Sequence, residues 1–167
     1  MKVFKEEQRF TQTWLIVLMF STTLVPIGII INEFTKENST MKIEELFLVM
    51  SIMIIAILPI FFFKLYTRID EKGIHYRFFP FHLKYKLILW KEISSCYIRK
   101  YDALTEYGGW GFKGGALWKK ANGKAINVSG DIGIQMELSN GKKLLIGTQK
   151  ESEANQVIKT YFSQIES

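Results

Sequence analysis

Residues 46–63 run for eighteen positions without a charged side chain and then stop abruptly at Lys64. A helix over that run is ~27 Å long at ~1.5 Å per residue, close to the ~30 Å of a bilayer's hydrocarbon core. Thirteen of the eighteen are Leu, Ile, Val or Phe. At about −0.3 to −0.6 kcal/mol each, they favour insertion by roughly 4 to 8 kcal/mol. The chain is therefore read outward from this segment, with a partner span on its N-terminal side and a tethered soluble domain on its C-terminal side.

Residues 14–31 supply the partner, again eighteen positions without a charge, opened by Trp14 at the depth aromatic side chains prefer. Before them, residues 1–10 read as a short charged leader with Lys2, Lys5 and Arg9 against Glu6 and Glu7. A cleaved signal peptide fits poorly, because the apolar run is too long, the leader contains acids, and no Ala-x-Ala-like site comes after it. Pro26 and Pro59 each remove a backbone donor and predict a kink. The link, residues 32–45, carries four acids and two lysines, whereas the outer flanks carry seven basic residues (Lys2, Lys5, Arg9, Lys64, Arg68, Lys72, Arg77). The positive-inside rule then predicts a multi-pass protein of the cell membrane with both termini cytoplasmic. Neither run contains an ionisable residue, so the hairpin reads as an anchor and not as an ion path. The expected division is a hairpin over 1–64 and a cytoplasmic domain over 65–167.

The charge follows that division. Of the formal net charge of +6, none resides in 1–64, with six basic and six acidic residues, and all of it in 65–167, with sixteen and ten. Such an excess points to an anionic neighbour such as a membrane surface, with plain solubilisation as the alternative. Cys96 is the sole cysteine, so no disulfide framework or cysteine-based metal site is available within one chain. With only His75 and His82 besides, no metal and no cofactor are expected.

From residue 65 the apolar period changes to two. Asp70-Glu71-Lys72-Gly73 reads as a turn between strands, and Leu83, Tyr85, Leu87 and Leu89 alternate as a strand with that face inward. Residues 93–100 form another strand. Asn122-Gly123 predicts a hairpin between 117–120 and 124–128, and Asn140-Gly141 a second between 132–138 and 143–146. In the latter, Ile132, Ile134, Met136 and Leu138 face inward, with Asp131, Gln135 and Glu137 outward. Thr148 and Glu151 fit a capping box opening a C-terminal helix. Ala154, Val157, Ile158, Tyr161, Phe162 and Ile165 form its apolar stripe.

About seven short antiparallel strands and then one amphipathic helix make an α+β layout that resembles a pleckstrin-homology-like (PH-like) split β-barrel. The resemblance extends to Glu106-Tyr107-Gly108-Gly109-Trp110-Gly111, to Ser129-Gly130-Asp131-Ile132-Gly133, and to residues 140–149, Asn-Gly-Lys-Lys-Leu-Leu-Ile-Gly-Thr-Gln. With the preceding hairpin, the whole chain is similar to small bacterial two-span membrane proteins that carry a PH-like domain. That likeness implies a binding or scaffolding role, with a protein partner or anionic lipid at the inner leaflet, and not chemistry.

Gly109-Trp110-Gly111-Phe112-Lys113-Gly114 matches G-x-G-x-x-G, but a dinucleotide fingerprint requires a helix opening at its end, and a hairpin is expected there. A membrane-tethered enzyme or small-ligand protein using this Gly-rich loop is the alternative reading. PH-like lipid cradles use basic residues around the connection between the first two strands; read as Asp70–Gly73, that connection is short and net acidic. The stronger signal is residues 107–130, where Lys113, Lys119, Lys120 and Lys124 occur with no acid after Tyr107, interleaved with Trp110, Phe112 and Trp118. Facing an anionic leaflet, each lysine is worth up to ~1 kcal/mol. Single-stranded nucleic acid suits the same mixture, but the tether makes lipid or a protein partner the expected ligand and nucleic acid not expected. Trp110, set among glycines, is expected to pack back onto the barrel. The oligomeric state is not specified by any of these patterns.

Overall fold

The computed structural model describes residues 2–114 and 122–162, which divide into a helical unit, Phe10–Phe62, and a β-rich unit, Met1–Arg9 with Phe63–Ser167.

The helical unit is a pair: α1, Thr13–Phe34, and α2, Ile43–Phe62, of 22 and 20 residues. Both are long and apolar enough to cross a membrane. Their large apolar side chains point outward, with Ile29 63% and Phe47 65% exposed. The hydroxyls of Thr22 and Thr23 donate to the Met19 carbonyl at 3.0 and 2.9 Å, so each polar side chain is satisfied within its own helix.

The β-rich unit begins where a leader was expected. Phe4–Arg9 is a strand, β1, whose odd–even alternation buries Phe4, Glu6 and Gln8 and exposes Lys5, Glu7 and Arg9. It pairs antiparallel with β2, Lys64–Asp70, in a register that sets Phe4 opposite Ile69 and Arg9 opposite Lys64. The predicted turn then returns the chain into β3, Gly73–Phe79, where Asp70 Oδ1 accepts from the Lys72 amide at 3.0 Å. β4, Lys86–Leu89, completes a four-stranded meander in the order β1-β2-β3-β4.

The expected inward face of β4 is corrected. Residues 83 and 85 precede the strand, and it is Ile88, opposite Ile74, that is buried, while Leu83, Tyr85 and Leu87 are exposed. Alternation over 83–89 was not a pleat, because the strand occupies only its last four residues.

The second sheet has the order β5-β8-β9-β7-β6. A 3-10 turn at Trp90–Glu92 leads into β5, Ile93–Lys100, and then into a short unforeseen helix, α3, Ala103–Tyr107. Next come β6, Gly111–Lys113, and β7, Lys124–Asn127. The chain closes through β8, Ile132–Leu138, β9, Lys143–Gly147, and α4, Glu151–Phe162. The Asn140-Gly141 turn joins β8 and β9 antiparallel as expected. Around Asn122-Gly123 the pairing differs: β7 takes β6 as its antiparallel partner and runs parallel to β9. The partner expected for it, 117–120, lies outside the described residues. Gln135, expected outward, is buried, where its Oε1 accepts from Arg99 Nε at 3.1 Å.

Leu65, Ile69, Ile74 and Phe78 from the first sheet and Ile126, Ile134, Met136, Leu145 and Ile146 from the second are fully buried. Helix α4 packs against β1, β2, β5 and β8, bridging both sheets. It buries Ala154, Val157 and Ile158, and its Tyr161 and Phe162 rings cover Trp90, whose indole donates to the Asp70 carbonyl at 2.9 Å. The acid that serves Thr148 is Glu6 and not Glu151. Glu6 accepts from Thr148 Oγ1 at 2.7 Å and from the Gln149 amide at 2.8 Å, and beside it Gln8 donates to the Gly147 carbonyl at 2.7 Å. The first strand is thereby tied to the last strand and to the entry of the last helix.

Candidate functional site

Trp110, Lys113 and Lys124 are placed by the excursion between β5 and β8. Asp102 caps α3 by accepting from the Leu104 and Thr105 amides at 2.8 and 3.1 Å, and Gly108, at φ 72°, ends the helix in the left-handed conformation. Gly109 and Gly111 lie beyond it at φ 113° and 117°, a backbone that L-residues avoid. They turn Trp110 back, half-buried, onto Tyr101, Ala103, Tyr107, Ala125 and Leu145, with its Nε1 donating to the Gly130 carbonyl at 3.3 Å. The tryptophan is thus mainly a packing residue, as its glycine neighbours indicated. Within G-x-G-x-x-G, Gly111–Lys113 is itself a strand, where a dinucleotide fingerprint requires the opening of a helix.

Lys113 lies beside Ala125 and Phe112 beside Ile126, and Lys124 begins β7, exposed. Trp118, Lys119 and Lys120 lie outside the described residues. The described part of the basic stretch is therefore Lys113 and Lys124, flanking Phe112.

Phe112 connects this stretch to residues that no sequence pattern singled out. Its ring stacks 6.1 Å from Phe81 and meets the edge of His82 at 5.3 Å. Phe81 in turn stacks on the buried Phe78 and tilts against Phe63, each at 5.8 Å between centroids. His82 sits inside this group, buried, its Nδ1 accepting from the Phe78 amide at 3.3 Å. Burial, and then the positive charges of Lys86 and Lys124, hold its pKa below the ordinary imidazole value, which keeps it neutral. The ring contact of Phe112 with His82 brings two basic segments, one from each sheet, together here. The signal was present in the sequence: between Glu71 and Glu92 there are five basic residues, Lys72, Arg77, Lys84, Lys86 and Lys91, and no acid. Behind the loop, the Arg77 guanidinium lies 4.2 Å over the Tyr66 ring and 5.2 Å over that of Tyr85, which braces the side chains at its far end.

The remaining titratable groups are engaged structurally. Asp70 is buried, which opposes its ionisation, yet the Lys72 amide, His75 at 3.1 Å and Arg68 at 3.0 Å together hold its carboxyl below the usual range. Burial pushes the Cys96 thiol up to about 12, so thiolate is scarce and the residue is a poor nucleophile. Arg99 forms a two-point ion pair with Glu106, at 3.1 and 2.7 Å, that holds α3 against β5. A shallow groove of about 400 Å³ on the first sheet sets Lys5 and Arg68 against Glu6 and Glu7, so its charges largely offset one another. Among the described residues no cluster of three or more His, Cys, Asp or Glu could hold a metal ion.

No family model matches the chain, and comparison with curated proteins gives no match either.

Proposed function

We propose that the chain is a membrane-anchored binding module, in which α1 and α2 span the cell membrane as a hairpin with both termini cytoplasmic. In this reading a PH-like domain at the inner leaflet engages anionic headgroups through the basic–aromatic surface around Phe112, Lys113 and Lys124. The observation that carries the reading is the pairing of β1 with β2 across the intervening helices. Arg9 and Lys64 are partners in register, so the chain leaves the domain and re-enters it at adjacent points, as an even number of crossings requires. The excess of basic residues on the flanks, seven against two in the link, then selects the cytoplasmic side.

The β topology supports the PH-like part. Without the helices and without the excursion between β5 and β8, there remain a four-stranded meander, a three-stranded one and a C-terminal helix. On this reading the connection between the first two strands, where lipid cradles of PH-like domains carry their basic residues, is the membrane hairpin itself, and the electrostatic surface lies elsewhere.

Two measurements test the reading. In whole cells carrying Cys96→Ala, a membrane-impermeant maleimide should modify a thiol introduced by Glu37→Cys; modification only after the membrane is disrupted would overturn the orientation. Native mass spectrometry of the detergent-extracted full chain should show retained anionic phospholipid that is lost in the Lys113→Gln, Lys124→Gln variant. Equal retention of zwitterionic lipid by both would remove the headgroup site.

A further inference from the structure

Leu83, at 77%, is more exposed than any large apolar residue of the two helices, and Phe81 comes next among the residues of the domain at 61% with Leu104. Leu83 and Phe81 both belong to the connection between β3 and β4. Their place in the sheet is fixed. Phe79, the last residue of β3, is the partner of Lys64, and Lys64 is the partner of Arg9. The connection therefore starts from the edge of the sheet at which the chain departs into α1 and returns from α2. Phe63, immediately after α2, has its ring 5.8 Å from that of Phe81.

Apolar exposure falls along the chain from Leu83, through Tyr85 at 48%, to Leu87 at 40%. Leu87 lies opposite His75, four positions along β3 from Phe79, about 13 Å away at ~3.3 Å per residue. Phe81 and Leu83 form the tip, with Phe112 of the other sheet stacked beside them. Charge is graded in the same sense: Lys84 and Lys86 come next along the chain, within a segment that has no acid from Lys72 to Lys91. The tip is not a loose loop, since Phe81 rests on Phe78 with their ring planes 2° apart and Phe78 is buried. A braced tip loses little conformational freedom when it engages a ligand.

We infer that this connection is an interfacial foot: Phe81 and Leu83, with Phe112, enter the headgroup–acyl boundary of the same bilayer that the helices span, and Lys84 and Lys86 lie at the level of the lipid phosphates. The inference rests on the membrane-anchored reading given above and adds to its headgroup contact the insertion of apolar side chains from the β3–β4 connection. Large apolar and aromatic side chains next to lysines, with no acid, are the composition of segments that lie in the interface. Because the chain runs into both helices from this end of the sheet, the anchored reading commits the occupant to lipid. The foot would fix the domain's orientation on the membrane and thereby decide which of its other surfaces face the cytoplasm.

Spin labelling of the full chain in nanodiscs of phosphatidylglycerol and phosphatidylcholine tests this. In a Cys96→Ala background, single labels are introduced by Leu83→Cys, by Ile52→Cys in the middle of α2, and by Asn140→Cys in the β8–β9 turn. Collision with oxygen is then compared with collision with a water-soluble nickel chelate. The expected ratio at position 83 is several-fold above that at position 140 and of the same sense as at position 52. A lipid-like ratio at 52 with a water-like ratio at 83 overturns the foot and leaves the anchor standing. A water-like ratio at 52 overturns the anchor and the foot together. Low collision with both probes at 83 means that protein covers the tip, which also overturns the inference.

Discussion

Ile29 in the first helix and Ile69 in the second strand are the same side chain in opposite surroundings, one 63% exposed and the other wholly buried. The helical unit turns nearly all of its apolar surface outward, whereas the β unit turns its own inward. The two regions are also specified differently. In the helices almost any apolar residue serves, because nearly all positions other than Thr23 and Leu46 are turned outward, and composition over about 20 residues suffices. In the β unit position decides. A shift of one residue exchanges the faces of a strand, and buried polar groups require named partners, as Glu6 requires Thr148 and the Gln149 amide. The helices should therefore tolerate substitution that the β unit does not.

The most severe test is removal of residues 2–9. It deletes a buried Phe, worth about 3 to 5 kcal/mol, and the polar ties of Glu6 and Gln8, worth ~1 to 3 kcal/mol each. That approaches the ~5 to 15 kcal/mol total of a typical domain. Hydrogen exchange in detergent should show protection lost across β2, β8 and β9 while α1 and α2 keep theirs; unchanged protection in β2 would break the comparison. Next in size, Glu6→Ala should cost about 2 kcal/mol in denaturant melts of the β unit, since it leaves the buried Thr148 hydroxyl and the part-buried Gln149 amide without an acceptor. Trp110→Ala should cost about 2 kcal/mol, below the usual range for a buried Trp because the ring is only half-buried. No effect on melting would make the tryptophan a contact residue.

His82 sharpens the comparison through pH. Its folded pKa is depressed by burial and by Lys86 and Lys124. Its contribution to stability is therefore complete above the unfolded value of about 6.5 and is lost as pH falls through the folded pKa. The melting temperature of the β unit should decline below about pH 6.5 in the wild type, with a shallower decline in His82→Gln. The smallest effect is expected from the largest change: replacing residues 10–63 by Asn-Gly joins Arg9 to Lys64, already partners, through a two-residue hairpin loop. Apart from the contacts of Phe63, the unit should keep its stability to within about 1 kcal/mol. A variant that fails to fold in water would show that the β unit depends on the helices for more than attachment.

The helices, the Asn140-Gly141 hairpin and α4 were legible because each carries a local pattern: an uncharged run, a turn requiring positive φ, a single apolar stripe. β1 was not. Its buried face includes Glu6 and Gln8, which read as surface, and their partners lie 142 and 139 residues away. α3, at five residues, is too short to show a period. The parallel pairing of β7 with β9 depends on a non-local register that no turn announces. Of the candidate site, Trp110, Lys113 and Lys124 came from an acid-free basic segment. Phe81, Leu83 and Lys86 belong to a second such segment, concealed by an alternation that resembled an ordinary strand.

The pairing of β1 with β2 also bears on biosynthesis. Phe4–Arg9 precedes both helices in the chain, so its partner strand is synthesised only after both helices have been made, and Thr148 later still. A chain inserted as proposed has its first strand waiting on the cytoplasmic face when the second arrives. A chain that inserted only one helix would strand the two on opposite sides of the bilayer, leaving β2 with a bare edge and Thr148 without its carboxylate. On the proposed topology, the domain closes only on a hairpin whose two ends lie on one side of the bilayer.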